Sequence, residues 1–279
     1  MNCTKYQYEQ MEKYLQGKRP YLKEMIEYYG DSRRTGKDLK LLGENGEMPE
    51  IIRYKGTDST KCVILYCSHN RRYRSLIDKA AQAVIDTGFN GDVVRLIGGI
   101  GGCLSYAKVP YGFKYGALAQ ARKMKYRYVL YIDSACIAKK PIDKLFDIIQ
   151  SRCIYAVEKG VLGNSFDIVD NEVVPKPGIE VAGSTKAYRS MLIGLQSAKD
   201  IPHISGGLFG IDMQSDIGQD FMHIVGNYMH HEDPFHGGCP DETVYSVALH
   251  RNGFRSYIPA AHNDLSPFDH TIFYYERDH

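Results

Sequence analysis

The sequence predicts an α/β protein in which a mostly parallel sheet is flanked by helices, preceded by an N-terminal helical appendage. The short apolar runs CVILYC (62–67), DVVRLI (92–97), YVLYI (128–132) and CIYAV (153–157) alternate with amphipathic stretches. That is the pattern of parallel strands covered by helices. The chain shows no internal repeat, so one core is expected rather than an array.

The boundary is placed after a polar stretch. Residues 1–46 carry two helix patterns, Tyr8, Met11 and Leu15, then Leu22, Met25, Ile26 and Tyr29 after Pro20, followed by a weakly periodic linker from Gly30 to Gly46. Residues 47–279 form the main domain. Within it, Ile77, Ala80, Ala81 and Val84 recur at helical spacing between the first two strands, and Gly88 closes that helix. The loop GGIGG (98–102) leads through Pro110 into a helix with Phe113, Ala117, Ala121 and Met124 on one face. Pro141 is placed to start a helix carrying Ile142, Leu145, Phe146 and Ile149. The Gly-, Asn- and Pro-containing region 158–180 is expected to loop over the sheet edge, and Leu192 and Leu195 suggest a helix. ISGGLFGID (204–212) reads as an irregular strand, and Ile217, Phe221, Ile224, Val225 and Tyr228 as an amphipathic helix.

A chain of 279 residues with 43% hydrophobic and 24% charged residues can bury a sizeable core and is not composed like a disordered protein. No apolar run approaches the roughly 20 residues of a membrane-spanning helix, and the polar start MNCTKYQYEQ lacks the pattern of a secretory signal. A cytoplasmic location is the expectation. Seven cysteines without a C-x-x-C pair argue against a disulfide framework or zinc ribbon. The net charge of +2 does not indicate a nucleic acid partner, although Lys18, Arg33 and Arg34 offer local positive charge. The 22 tyrosines suit carbohydrate-facing clefts and half-buried core positions equally.

Ligands of open parallel sheets bind beyond the carboxyl ends of the strands. Three polar stretches fall there: CSHNRR (67–72), DSAC (133–136) and the segment from His230 to Glu242. The cluster His230, His231, Glu232, Asp233 and His236 matches no zinc spacing. Asp133 at a strand end can hold a ligand or cap a turn. Gly206 and Gly207 permit either close approach of a sugar to the backbone or a bulge. Asp241 and Glu242, in the first turn of a helix with Val244, Val247 and Ala248 on its buried face, suit a base near an acceptor hydroxyl and equally suit the helix dipole.

At YVLYIDSACIAKKPIDKLFD (128–147), together with the preceding FKYGALAQARKMKY, the chain resembles the nucleotide-sugar-binding core of GT-A glycosyltransferases, where a buried strand delivers an acidic D-x-D motif. The resemblance runs from about Lys61 to Asp264 and implies a Rossmann-like, GT-A-like sheet. It carries Asp133 to the nucleotide or metal, whereas Ala135 stands where a second carboxylate is expected, a D-x-A variant. It further implies Gly206 and Gly207 on the acceptor side, Asp241 ahead of Glu242 as catalytic base, and His262, with His270 as rival, as a metal ligand. Ser68, His69, Arg72 and Lys114 would contact the nucleotide, Arg72 and Lys114 also reading as exposed charges.

The activity implied is transfer of a hexose or pentose from a nucleoside diphosphate sugar to a hydroxyl acceptor with inversion, by direct displacement. The cofactor implied is Mn²⁺ or Mg²⁺, held mainly by the diphosphate oxygens, unless Arg72 and Lys114 supply the charge instead. A glycan, a lipid-linked sugar, a protein side chain or a modified nucleic acid base would each satisfy the acceptor requirement. Two other readings compete. A sugar-phosphate nucleotidyltransferase needs a glycine-rich phosphate loop after the first strand, which CSHNRR lacks. A non-catalytic nucleotide- or carbohydrate-binding protein is favoured by Ala135.

Overall fold

A computed structural model describes residues 49–67, 71–99, 111–162, 166–169, 172–175, 200–229, 240–259 and 273–275. The expected N-terminal appendage and the helix at Leu192 and Leu195 lie outside them. Strands β1 (Pro49–Tyr54), β2 (Asp58–Cys67), β3 (Gly91–Gly98), β4 (Tyr128–Asp133), β6 (Ile154–Val161), β9 (Pro202–Asp212) and β10 (Ile258–Pro259) form one sheet in the order β1-β3-β2-β4-β9-β6-β10. β5 (Cys136–Ala138) pairs with β11 (Phe273–Tyr275), and β7 (Phe166–Val169) with β8 (Glu172–Pro175). The helices among the described residues are α1 (Arg71–Asp86), α2 (Phe113–Lys123), α3 (Asp143–Arg152), α4 (Asp216–Tyr228) and α5 (Pro240–Arg251).

The parallel run expected from the strand–helix alternation is β3-β2-β4. The sheet is mixed, with β3, β2, β4, β6 and β10 running one way, as a mostly parallel sheet requires, and β1 and β9 running against their neighbours. β1 was not apparent in the sequence: PEIIRY is an edge strand whose residues are half-buried or exposed, so no continuous apolar run marks it. The region after Glu158 also carries more structure than a loop, since β6 continues to Val161 and β7 and β8 form a hairpin.

Period-two alternation divides the strands between two cores. Cys62, Ile64 and Tyr66 of β2 and Val129 and Tyr131 of β4 pack with Ala117, Leu118 and Ala121 of α2, and with α4 and α5, on one face. Val63, Leu65, Leu130 and Ile132 pack with Ile77, Ala80, Ala81 and Val84 of α1 and with Leu145, Phe146 and Ile149 of α3 on the other. α4 shows the ridge read from its spacing and starts on a Ser215 cap, whose hydroxyl accepts from the Gly218 N–H at 3.0 Å. α5 is buried on every side from Asp241 to Leu249, wider than the expected stripe, because it sits between β9 and α4. α3 ends on Cys153 in the left-handed conformation at φ 68°, which turns the chain into β6. Cys62, Cys67 and Cys136 are buried free thiols.

Candidate active site at the sheet's carboxyl edge

Because β9 is antiparallel to its neighbours, its beginning lies at the end where β4 and β6 finish. The register shows this: Ile132 pairs with Leu208, and Glu158 with Ile204. Between the Ala156–Phe209 and Glu158–Ile204 pairs, β9 carries extra residues, so it bulges through Gly206 and Gly207. The bulge reading of these glycines therefore holds, and what comes close to the Gly206 backbone is the Asp241 carboxylate. A Cβ on Gly206 would lie 2.0 Å from Asp241 Oδ2.

Onto this bulge converge Lys114 from α2, Asp133 from β4, and Asp241 and Glu242 from α5. Lys114, expected as an exposed charge or a nucleotide contact, is buried. Its Nζ donates to the Gly206 carbonyl at 3.0 Å, lies 2.8 Å from Asp241 Oδ2, and is 3.5 Å from Asp133 Oδ1. The Asp241 contact is close enough for an ion pair but poorly angled for a hydrogen bond, and both Asp241 oxygens are buried without a hydrogen-bond donor among the described residues. Asp133 is the open member, its side chain 30% exposed against 2% for Asp241. The Tyr131 hydroxyl donates to Asp133 Oδ1 at 2.8 Å, and the Tyr111 and Tyr131 rings lie 5.3 and 5.9 Å from the Lys114 ammonium.

Electrostatics separate the two acidic neighbours of α5. Burial pushes the Asp241 carboxyl above the ordinary range, with Lys114 opposing the shift and Glu242 adding to it. Burial acts on Glu242 in the same sense, but a hydrogen bond from His203 and the charge of Lys159 outweigh it and hold this carboxyl at about 2. Burial alone would lower the Lys114 pKa. The charges of Asp133 and Asp241 overcome this and keep it well above its ordinary value, so Lys114 is a cation.

Lys159 and His203 were not singled out in the sequence. Lys159 Nζ contacts Glu242 Oε2, His203 Nε2 lies 3.4 Å from the same oxygen, and the Gly206 N–H donates to Glu242 Oε1 at 3.2 Å. No spacing could have revealed a contact across 83 positions. The Gly207 N–H is 3.4 Å from Ser205 Oγ. Ser68, His69, the Arg72 side chain, His262, His270 and the histidine cluster 230–236 lie outside the described residues.

No protein-family model and no curated protein matches the sequence. Solved structures do align with it over most of its length. The structures it resembles are glycosyltransferases. One is the apo bifunctional glycosyltransferase WbbM, with a TM-score of 0.43 and 11% identity over 72% of this chain and 38% of that one. Another is the galactosyltransferase LgtC in complex with donor and acceptor sugar analogues, with a TM-score of 0.38 and 11% identity over 71% and 72%. A third is a glycosyltransferase involved in glycosylating the major capsid of PBCV-1, with a TM-score of 0.37 and 12% identity over 74% and 82%. The chain spans well under half of the WbbM chain. Likeness this distant supplies no residue correspondence, so the chemistry is read from the site itself.

Proposed function

We propose that the protein transfers a sugar from a nucleoside diphosphate donor to a hydroxyl acceptor, with inversion. The observation that carries this reading is one partly exposed carboxylate at a strand end, Asp133, backed by a buried ammonium, Lys114, and a buried carboxylate, Asp241, whose oxygens have no hydrogen-bond donor among the described residues. Buried acceptors without donors are costly unless a partner completes them. A substrate hydroxyl is such a partner.

In this mechanism Asp133 and Lys114 face the donor, with Ser68, His69 and Arg72 as further contacts. The acceptor oxygen attacks the anomeric carbon while the bond from that carbon to the diphosphate oxygen breaks, and the hydroxyl proton passes to Asp241. A raised carboxyl makes the better base at neutral pH, which places Asp241 ahead of Glu242. The missing side chain of Gly206 lets the Asp241 carboxylate stand directly against the backbone.

For a divalent cation, Asp133 offers one suitable carboxylate, and no group of three His, Cys, Asp or Glu residues that could hold a metal occurs among the described residues. This fits a weakly held Mn²⁺ or Mg²⁺ carried mostly by diphosphate oxygens, with Asp133 and His262 as protein contacts. Its chemistry there would be neutralisation of charge on the leaving diphosphate. No described helix is long and apolar enough to cross a membrane. A cytoplasmic enzyme acting on a glycan, a lipid-linked sugar or another hydroxyl acceptor is the setting we favour.

Calorimetric titration with UDP- and GDP-sugars in Mn²⁺ tests the donor site. Binding of at least one, lost in Asp133→Ala with the fold retained, is expected; affinity within twofold of wild type in that variant would sink the assignment. Exhaustive EDTA treatment tests the cation, full retention of turnover being the result that removes it. A second reading, binding without catalysis, is favoured by Ala135 and differs by the absence of turnover with every donor that binds.

A further inference from the structure

The transfer described above makes no use of Lys159 or His203, yet the two are joined to its donor side through one glycine. Glu242 Oε2 takes Lys159 and, at 3.4 Å, His203. Glu242 Oε1 accepts the Gly206 N–H at 3.2 Å. The Gly206 carbonyl in turn accepts Lys114 Nζ at 3.0 Å, and the same ammonium stands between Asp241 and Asp133. The peptide units on either side of Gly206 are thus held from opposite directions, one by a carboxylate and one by an ammonium. That matters most at glycine, whose backbone has the widest choice of conformations and is otherwise set only by its neighbours.

A lysine–glutamate pair on an open surface would contribute little. This one differs because the Glu242 side chain is only 12% exposed, while Lys159 reaches it from a position 30% exposed. Remove Lys159 and a nearly buried carboxylate loses the ammonium in direct contact with it. It must then take up a proton or turn towards water, and in both cases the Gly206 N–H loses its charged acceptor.

We propose that Lys159 and His203 are positioning residues of the site: by fixing Glu242 they set the Gly206 bulge, and through its carbonyl they set the seat of Lys114 between Asp241 and Asp133. Its bearing on sugar transfer rests on the function proposed above; the positioning itself does not.

The experiment therefore reads the backbone and the ammonium directly. In the full-length, isotope-labelled protein, the Gly206 amide and the Lys114 side-chain ammonium resonances are followed in wild type, Lys159→Met, His203→Ala and Lys159→Arg. Both signals are expected to move in Lys159→Met and in His203→Ala, and to return towards wild type in Lys159→Arg, which restores the charge. If Lys159→Met does not fold, Lys159→Arg and His203→Ala still decide the matter. An unmoved Gly206 amide, or a moved amide with an unmoved Lys114 ammonium, would overturn the proposal. With a donor that wild type turns over, kcat is expected to fall about tenfold or more in Lys159→Met with KM for the donor within about twofold, since small displacements of positioned groups act mainly on the reacting geometry; unchanged kcat overturns the link to catalysis. Failure of wild type to bind or turn over any donor counts against the proposed function and leaves the resonance test standing.

Discussion

Lys114 and Asp241 form a buried ion pair, Nζ to Oδ2 at 2.8 Å, between a helix that starts well before the central strand β4 and one that starts long after it. Neither group has solvent to fall back on. Each therefore offsets the cost of burying the other's charge, with Asp133 and the Gly206 carbonyl also serving Lys114.

Lys114→Met is expected to destabilise the protein by about 3 to 5 kcal/mol, the range for breaking a buried pair and leaving one charge uncompensated. Urea unfolding measures it. The double variant Lys114→Met with Asp241→Asn should recover much of the loss, since no buried charge then remains at the pair; strictly additive losses would show that the pair is not the source.

A base acts in the transition state and contributes little to ground-state binding, so Asp241→Asn should lower kcat about 10²- to 10⁴-fold while donor affinity stays within about twofold. Steady-state kinetics beside calorimetry separate the two. Glu242→Gln should cost less in kcat. Near-normal turnover in both variants would place the base elsewhere or indicate retention of configuration.

Gly206→Ala brings a methyl group to within 2.0 Å of Asp241 Oδ2, an oxygen that Lys114 keeps from swinging aside. A loss of about 1 to 3 kcal/mol is expected from the forced shift. Adding Asp241→Ala to Gly206→Ala should relieve part of it, because the obstructing carboxylate is gone; a double variant no more stable than additivity allows would contradict the geometry.

The pH dependence of stability should carry the mark of Glu242. Its folded value of about 2 lies below the ordinary 4.5, so its interactions with His203 and Lys159 contribute stability that is complete above about pH 4.5 and is lost as pH falls towards 2. Asp241 has the opposite sign, its raised value meaning that ionisation disfavours the folded state as pH rises through it. Urea unfolding of wild type and Glu242→Gln at pH 6, 4 and 3 should give a stability gap that narrows at the acid end. A constant gap would exclude the carboxylate charge as its cause.

Much of this site was legible because local signals coincide with it. Asp133 closes an apolar run, Asp241 and Glu242 open a helix, and the Gly206–Gly207 pair interrupts a strand pattern, so each could be picked out from its immediate neighbours. Partnership was less legible. Lys114 reads as an ordinary charge in the first turn of α2, and nothing adjacent tells that it is buried 2.8 Å from Asp241. Lys159 lies in a stretch whose glycines suggest a loop, and its role appears only once β6 is seen beside β9. Strand direction was equally hidden: alternation of strands and helices favours parallel pairing, and the long connection from β6 to β9 removes the regular crossover that would enforce it.

The place of β9 between β4 and β6 has a consequence for how the chain is made. Its two neighbours are synthesised first, and the strand that joins them, together with its partner helix α5, leaves the ribosome last of the large elements. Until then β4 and β6 each present an unpaired edge, and such edges are where nascent chains stick to one another. Lys114 meanwhile waits without Asp241. The sheet is thus completed from its middle by a late arrival: a chain interrupted before residue 202 would lack the strand that joins β4 to β6, and one interrupted before residue 240 would lack the Asp241 carboxylate beside Lys114.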